Sequence, residues 1–552
     1  MASFIKRLGA AWNIVRNNQP RRSAGYRGPA VSHRSYAAAN YDRLTEDFLS
    51  PLTTGDAEMR TRMRTIRGRA RELERNEPYT IRYLSAMENN IYDHHGMTLK
   101  SRAGELSKDP ATGKPIFRFD AMANRIIEQA YEDWKKNPFV SQDMTLNEGG
   151  RLALRTMVRD GDPLVKFVIN GKYNHGFALQ LLEPDQIDDM RNTARQTPTT
   201  QVRMGVEVER DTFATVAYWL LADHPGDMQW WSADGYYSER HDAGDFLHLF
   251  RRRRITQCRD VTWLVGIMRD LKMLDGYDEA AIVAARTGAA KMGFFTRDPN
   301  SPGPAYQGEN TDADGNPVDP AMGGNKSMDA EPGLIEDLSQ SPGLKFESFN
   351  PEYPHAMYAE FVKSRIRRIA AGLNMSYNTL ANDLENVNFS SIRAGLLDDR
   401  EQYKATQTLW IDKFERPVFL KWLEIALLSG ELRDPFTGSA LPFAKLTKFS
   451  QHQFRPRRWA WVDPLKDAEA SIMAVNNRFK SRSEVIEEQG AGDFQDVIDE
   501  VAAEQAAAAA AKVELPTINT GIAPNKQAGS EVDGAADDTQ AAAPAAPKKG
   551  KA

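Results

Sequence analysis

Few residues in this chain are spaced for covalent chemistry. Asp93, His94 and His95 stand together at the end of a helical pattern, but a metal site needs three or four convergent ligands, and no further aspartate motif accompanies them. They read as structural or solvated. Gly113-Lys114 and Gly171-Lys172 lack both the upstream glycine and the following Ser or Thr of a phosphate-cradling loop. No GxSxG, HExxH or GxGxxG pattern occurs, and Cys258 is the single cysteine, which excludes an internal disulfide and any CxxC zinc site. The residue pattern therefore implies no enzyme, no metal and no cofactor. What remains is non-covalent: the arginine run Arg251 to Arg254, the basic face of Lys363, Arg365, Arg367 and Arg368, and the asparagines Asn374, Asn378, Asn382, Asn386 and Asn388. Uncharged amides and sparse cations can touch phosphates weakly. The same asparagines can instead cap helices and shape a turn.

These groups sit on identifiable elements. Phe361, Val362, Ile366, Ile369, Ala370 and Leu373 form one apolar stripe of a helix whose opposite side carries Lys363 and Arg367 on a shared face. A polar segment follows, then a long helix from Ser390 to Ser429. Four consecutive arginines after the strand-like FLHLF cannot face one way on an extended backbone, so Arg251 to Arg254 read as interface or solvent groups.

Upstream, Pro78 opens a helix carrying Leu84, Met87 and Ile91, with Gly96 available as its stop. A second helix runs through Met122, Ile126, Ile127, Ala130 and Trp134 to Pro138. A third starts at the Thr145 to Glu148 capping-box pattern and stops at Gly161. The period then changes: LVKFVIN, GKYNHG and FALQLLEP read as a hairpin, GVEVER with TVAYWLLAD as another, making 163 to 250 a β-rich module. Trp230, Trp231, Trp459 and Trp461 fall in strand-like or loop contexts where burial is favoured over base stacking. Thr262 to Thr296 returns to a helical pattern, about 50 Å long if unbroken. Residues 298 to 333 hold six prolines and six glycines, which no helix tolerates, and LIEDLSQSPGLKFESF after them reads as strand, turn, strand.

At 552 residues and 61.9 kDa the chain exceeds one core. Its net charge of -5 argues against a protein that coats nucleic acid. No stretch approaches the roughly 20 apolar residues of a membrane helix, so a soluble, cytoplasmic chain is expected. The first 75 residues carry a basic excess that reads as a solvated terminal arm, with attraction to DNA or a membrane as the alternative.

The string IAAGLNMSYNTLANDLENVNFSSIRAGL resembles the signature stretch of lambda-type bacteriophage portal proteins. In that stretch a small-residue helix end precedes a Tyr, a Leu and an Asn-aromatic-Ser-Ser-x-Arg run, here Asn388, Phe389, Ser390, Ser391 and Arg393. RGRARELERNEPYTIRYLSAMENNIYDHHGMTLKSR (67 to 102), LQLLEPDQI (179 to 187) and FRPRRWAWVDPLKDAEA (454 to 470) match the same family in order. One departure is the turn where relatives often carry Pro-Gly-Gln-x-Arg-Gly; this chain reads Arg251 to Arg254, Ile255, Thr256, Gln257, Cys258, Arg259, Asp260.

The resemblance implies an α+β, mainly helical portal fold that closes into a ring of about twelve copies. Its parts would be a flexible basic arm (1–60), a wing of helices and a β-rich module (61–261), stem helix 1 (262–297), a clip (298–351) and stem helix 2 (352–373). A tunnel loop (374–389), the wing's long helix and connection (390–462), a crown (463–512) and a disordered tail (513–552) complete it. It further implies a virion component at one capsid vertex, assembled in the host cytoplasm, that passes double-stranded DNA during packaging and ejection. Its implied partners are terminase, capsid or scaffold protein and a head-tail adaptor, with no membrane. Asn378, Asn382, Asn386, Asn388, Lys363 and Arg367 would face the DNA channel. The competing readings are a capsid shell or adaptor protein, and a nucleic-acid enzyme of the packaging machinery.

Overall fold

The computed structural model describes residues 43, 52–92, 96–108, 115–227, 237–290, 293–297, 344–348, 357–385, 389–459, 464–489 and 494–511. Asp93, His94, His95, Gly113, Lys114, Trp230, Trp231, Trp461, Asn386, Asn388, the Pro/Gly segment 298–333 and the tail 513–552 lie outside them, as does most of the arm.

The chain enters through α1 (Gly55–Met59), α2 (Met63–Asn76) and α3 (Pro78–Ile91). Helix α1 falls inside the segment expected to be a flexible arm. It is docked, because Asp56 is buried and accepts from the Cys258 backbone N–H at 3.0 Å. Pro78 occupies the first turn of α3, where its missing N–H costs nothing; Tyr92 ends the helix, before Gly96.

Strand β1 (Thr98–Ser101) leads to the hairpin β2 (Gly104–Lys108) and β3 (Pro115–Phe119). Helices α4 (Ala121–Trp134) and α5 (Leu146–Arg159) follow. In α5 the Thr145 hydroxyl accepts from the Glu148 N–H while the Glu148 carboxylate accepts from the Thr145 N–H, the reciprocal cap read from the sequence.

The β-rich module holds two sheets. Strands β4 (Leu164–Ile169) and β5 (Phe177–Leu182) pair antiparallel as expected; a four-stranded sheet runs in the order β6 (Thr200–Arg203), β7 (Val206–Glu209), β8 (Thr215–Leu221), β9 (Ser238–Asp242). The expected strand FLHLF is short. β10 (Phe246–His248) pairs with β4 and ends before the arginine run.

The helix expected over Thr262 to Thr296 divides into three. Thr262 caps a 3-10 turn (Trp263–Gly266), α6 covers Met268–Ala290, and the chain then extends as β11 (Gly293–Arg297). At 23 residues α6 is about 35 Å long. The run GFFTR favours a strand, since glycine weakens the helix and aromatic and β-branched residues suit a pleated sheet. β11 pairs antiparallel with β12 (Leu344–Ser348), Gly293 opposite Ser348. The second strand of the expected local hairpin therefore has a partner about fifty residues upstream.

Helix α7 (Tyr358–Leu373), the short α8 (Tyr377–Ala381) and α9 (Phe389–Trp410) enclose the polar segment. The long helix read from Ser390 to Ser429 is continuous in course, but a π-helical turn, Ile411–Glu415, separates α9 from α10 (Arg416–Ser429). After α11 (Leu446–Phe449), β13 (His452–Arg455) pairs with β1, Leu99 opposite Phe454, joining two of the family-like stretches. Helices α12 (Pro464–Asn476), α13 (Arg482–Gln489) and α14 (Phe494–Ala511) follow.

One large apolar core binds α2 to α6 and α7 to α10: Leu84, Ile127, Trp134, Leu154, Leu264, Ile369, Trp410, Phe414 and Trp422 are all fully or nearly fully buried in it. Both α7 and α9, which flank the polar segment, contribute side chains to this core.

Candidate functional site

Helix α7 buries Ile366, Ile369, Ala370 and Leu373, while Phe361 at its start is largely exposed. Its four basic side chains all have partners within the chain. Lys363 Nζ lies 3.3 Å from Asp383 and 4.0 Å from Glu385. The Arg365 guanidinium lies over the Phe361 ring, Arg367 lies 5.4 Å from the Tyr377 ring centre, and Arg368 bonds Asp270 of α6 at 3.0 Å.

The helix ends at Asn374 in the left-handed region (φ 55°), its N–H bonded to the carbonyls of Ala370 and Ala371. Asparagine tolerates this conformation better than other residues with a side chain. Helix α8 forms inside the segment expected to be a loop. The Ser376 hydroxyl accepts from the Thr379 N–H at its start, and Asn382, again left-handed (φ 53°), closes its end. Asn374 and Asn382 thus serve as helix caps; both side chains are also exposed. Asn378 lies within α8 and is half-buried.

Three contacts hold α8 in place. The buried Asp399 of α9 accepts from the Ser376 N–H, the Ser376 hydroxyl and the Thr379 hydroxyl, each at 2.7 Å. Arg82 of α3 donates to the Thr379 carbonyl at 3.2 Å. The Tyr377 hydroxyl donates to Asp383 at 2.8 Å. That bond, with Lys363 beside it, holds the Asp383 carboxyl below its usual range, while partial burial and then Asp383 push the Tyr377 hydroxyl up to about 12. Asp399, Ser376, Thr379 and Arg82 carried no signal in the sequence, because their relation exists only across helices.

A second charged cluster joins two other family-like stretches. Arg67 and Arg71 of α2 reach Asp185 after β5, Arg71 also reaches Asp160 and Glu183, and the fully buried Arg259 pairs with the fully buried Asp162. Arg259 also donates to the carbonyls of Met204 and Pro184 at 3.0 Å. Burial alone would raise the Asp162 carboxyl, but Arg259 and His248 outweigh it and bring it down to about 2. Asp260, with burial dominant, is pushed up to about 6. Glu183, Asp185 and His224 each offer a donor atom within 4.8 Å of the others. Arg71 already sets its guanidinium 3.1 Å from Glu183 and 2.6 Å from Asp185, so positive charge is supplied by the chain itself. The segment that follows the arginine run thus supplies the fully buried cation Arg259 to the cluster.

The remaining sequence candidates among the described residues have partners within the chain. Lys172 lies over the Tyr173 ring beside the β4–β5 turn. Arg251 and Arg252 lie over the Trp263 and Phe250 rings, Arg253 is 3.6 Å from Asp260, and Arg254 bonds Glu58 at 3.0 Å. Burial pushes the Cys258 thiol up to about 12, which leaves it inert as a nucleophile at neutral pH. The Trp459 indole donates to Asn90 at 2.9 Å and stacks on Tyr403. Among the described residues no helix is long and apolar enough to cross a membrane.

Packed helices thus present a polar segment braced by Asp399, Arg82 and Lys363. Comparison with known proteins gives the family. Residues 41–407 match the model described as phage portal protein, lambda family, and this chain belongs to that family. The probable portal protein of Halomonas phage phiHAP-1 is 30% identical over 510 residues, covering 90% of this chain and 91% of that one. Portal protein B of Escherichia phage lambda is 21% identical over 354 residues, 58% of this chain and 60% of that protein. Among solved structures, the neck of a native gene transfer agent particle computed with C12 symmetry covers 76% of this chain and 92% of its own, at 10% identity and a TM-score of 0.39. So distant a superposition leaves the family assignment resting on the sequence.

Proposed function

We propose that this portal protein assembles as a closed ring of about twelve subunits at one capsid vertex, through which double-stranded DNA is packaged and later ejected. In this reading residues 61–261 and 390–462 form the wing, α6 and α7 the stem, β11 and β12 part of the clip, 374–389 the tunnel loop and 463–512 the crown. Terminase, capsid or scaffold protein and a head-tail adaptor are its docking partners, and assembly takes place in the host cytoplasm. No covalent step is required of the chain.

The observation that carries this reading is the segment between α7 and α9. Its amides are uncharged, and the α7 cations beside it are each matched by an acidic or aromatic partner in the same chain. Each phosphate neutralised by a free cation releases counterions and binds tightly. A conduit must avoid that brake; Lys363 and Arg368, paired with carboxylates, do so, while Arg365 and Arg367 over aromatic rings remain as sparse cations. Asn378, Asn382, Asn386, Asn388, Lys363 and Arg367 are the proposed channel-facing groups, with Lys363 and Arg367 acting chiefly to hold the segment.

Native mass spectrometry of the purified chain tests the assembly. A species of about 740 kDa, twelve copies, is the expected result; only monomers and dimers across salt conditions would overturn it. ATPase or nuclease activity in the same preparation would support the packaging-enzyme alternative.

A further inference from the structure

We propose that Asp399 is the positioning residue of the segment 374–385, a carboxylate latch that sets where this segment stands relative to α7 and α9. The proposal rests on the reading of that segment as channel-lining, but its geometry stands apart from it. Asp399 is only 4% exposed, whereas its neighbour Asp398 is exposed. A buried carboxylate is costly unless its oxygens are hydrogen-bonded. Here Oδ1 takes the Ser376 N–H, and Oδ2 takes both the Ser376 and Thr379 hydroxyls.

All three donors come from the first turn of α8, a helix of only five residues. So short a helix does not persist by itself, since the first turn fixes several dihedrals for one hydrogen bond. The carboxylate also sits where it complements the unpaired N–H groups of that first turn. Opposite it, Arg82 takes the Thr379 carbonyl, so α8 is gripped from α9 on one side and from α3 on the other. Downstream, the Tyr377 and Lys363 bonds to Asp383 extend the same fixed geometry toward residue 385. The segment is therefore a braced element, seated in the core through the buried Met375 and Leu380 and set in place at its start by Asp399, with Arg82 beside it.

The test uses full-length Asp399→Asn. An asparagine still accepts from the Ser376 N–H, but its NH2 group cannot accept the two hydroxyls. Amide hydrogen exchange on the assembled protein is expected to accelerate about tenfold or more across residues 376–383. Exchange in β4, β5 and α4, and ring assembly, should stay unchanged, which a general loss of stability would not allow. The paired variant Ser376→Ala/Thr379→Val removes the hydroxyl donors from the other side and should give the same local acceleration. Unchanged exchange at 376–383 in both variants overturns the latch. Capsids built with Asp399→Asn separate this from the channel reading. Accelerated exchange with lowered retention of packaged DNA supports both. Accelerated exchange with full-length genomes held as well as by the unaltered protein supports the latch and overturns the segment's role in the channel.

Discussion

Glu415, the last residue of the π-helical turn, offers a pH test of how the long helix is seated. It is 1% exposed, and its carboxylate accepts from the Tyr92 hydroxyl at 2.7 Å. Burial dominates, outweighing the help from Tyr92 and Lys135, and pushes the carboxyl up to about 7 from an ordinary 4.5. Between these values the folded protein keeps a proton that the unfolded chain has lost. Stability from this group is therefore full below about pH 4.5, falls as pH rises through 4.5 to 7, and stays at its reduced level above. One pKa unit corresponds to about 1.36 kcal/mol, so the total penalty is on the order of 3 kcal/mol, most of which develops between pH 5 and pH 8. Glutamine keeps an acceptor for Tyr92 and never ionises. Any fixed cost of its NH2 group cancels when the two pH values are compared. Chemical denaturation of the unaltered protein and Glu415→Gln at pH 5 and pH 8 should show the variant gaining roughly 2 to 3 kcal/mol relative to the unaltered protein at the higher pH. An identical difference at both pH values would show that the carboxyl is not held neutral by its burial, and the reasoning would fail.

Two further perturbations follow from the caps and the charge cluster. Arg259→Leu leaves the fully buried Asp162 without its main cation and should destabilise the protein by about 3–5 kcal/mol in urea titration, with Arg259→Leu/Asp162→Leu recovering part of the loss. Thr145→Ala removes the reciprocal cap of α5 and should cost about 1 kcal/mol, read as a lowered melting temperature.

The sequence by itself was sufficient for whatever depends on neighbours along the chain. The Thr145–Glu148 cap, Pro78 in the first turn of α3, the apolar faces of α4 and α7, and the β4–β5 and β7–β8 hairpins are all set by spacing of a few residues. The order of four signature stretches likewise gave the family, because motif order survives where overall identity does not. The tertiary structure alone decided what depends on residues meeting across the fold. Residues 344–348 could have paired with the strand-like run just before them; β11 lies far upstream but is delivered to them by α6 and α7. The expected helix from Thr262 to Thr296 broke because helical periodicity does not register where a 3-10 turn and a strand begin. Asn374 and Asn382 could have served as caps or as channel groups from composition alone, and only their left-handed backbone established the capping role. Asp399 looked like any acidic residue on a helix until α8 brought Ser376 and Thr379 against it. Arg67, Arg71, Asp160, Asp162, Asp185 and Arg259 form one cluster from positions about a hundred residues apart. Local hydrogen-bonding and periodicity are written in short windows of sequence, whereas the matching of buried charges is a property of the packed whole.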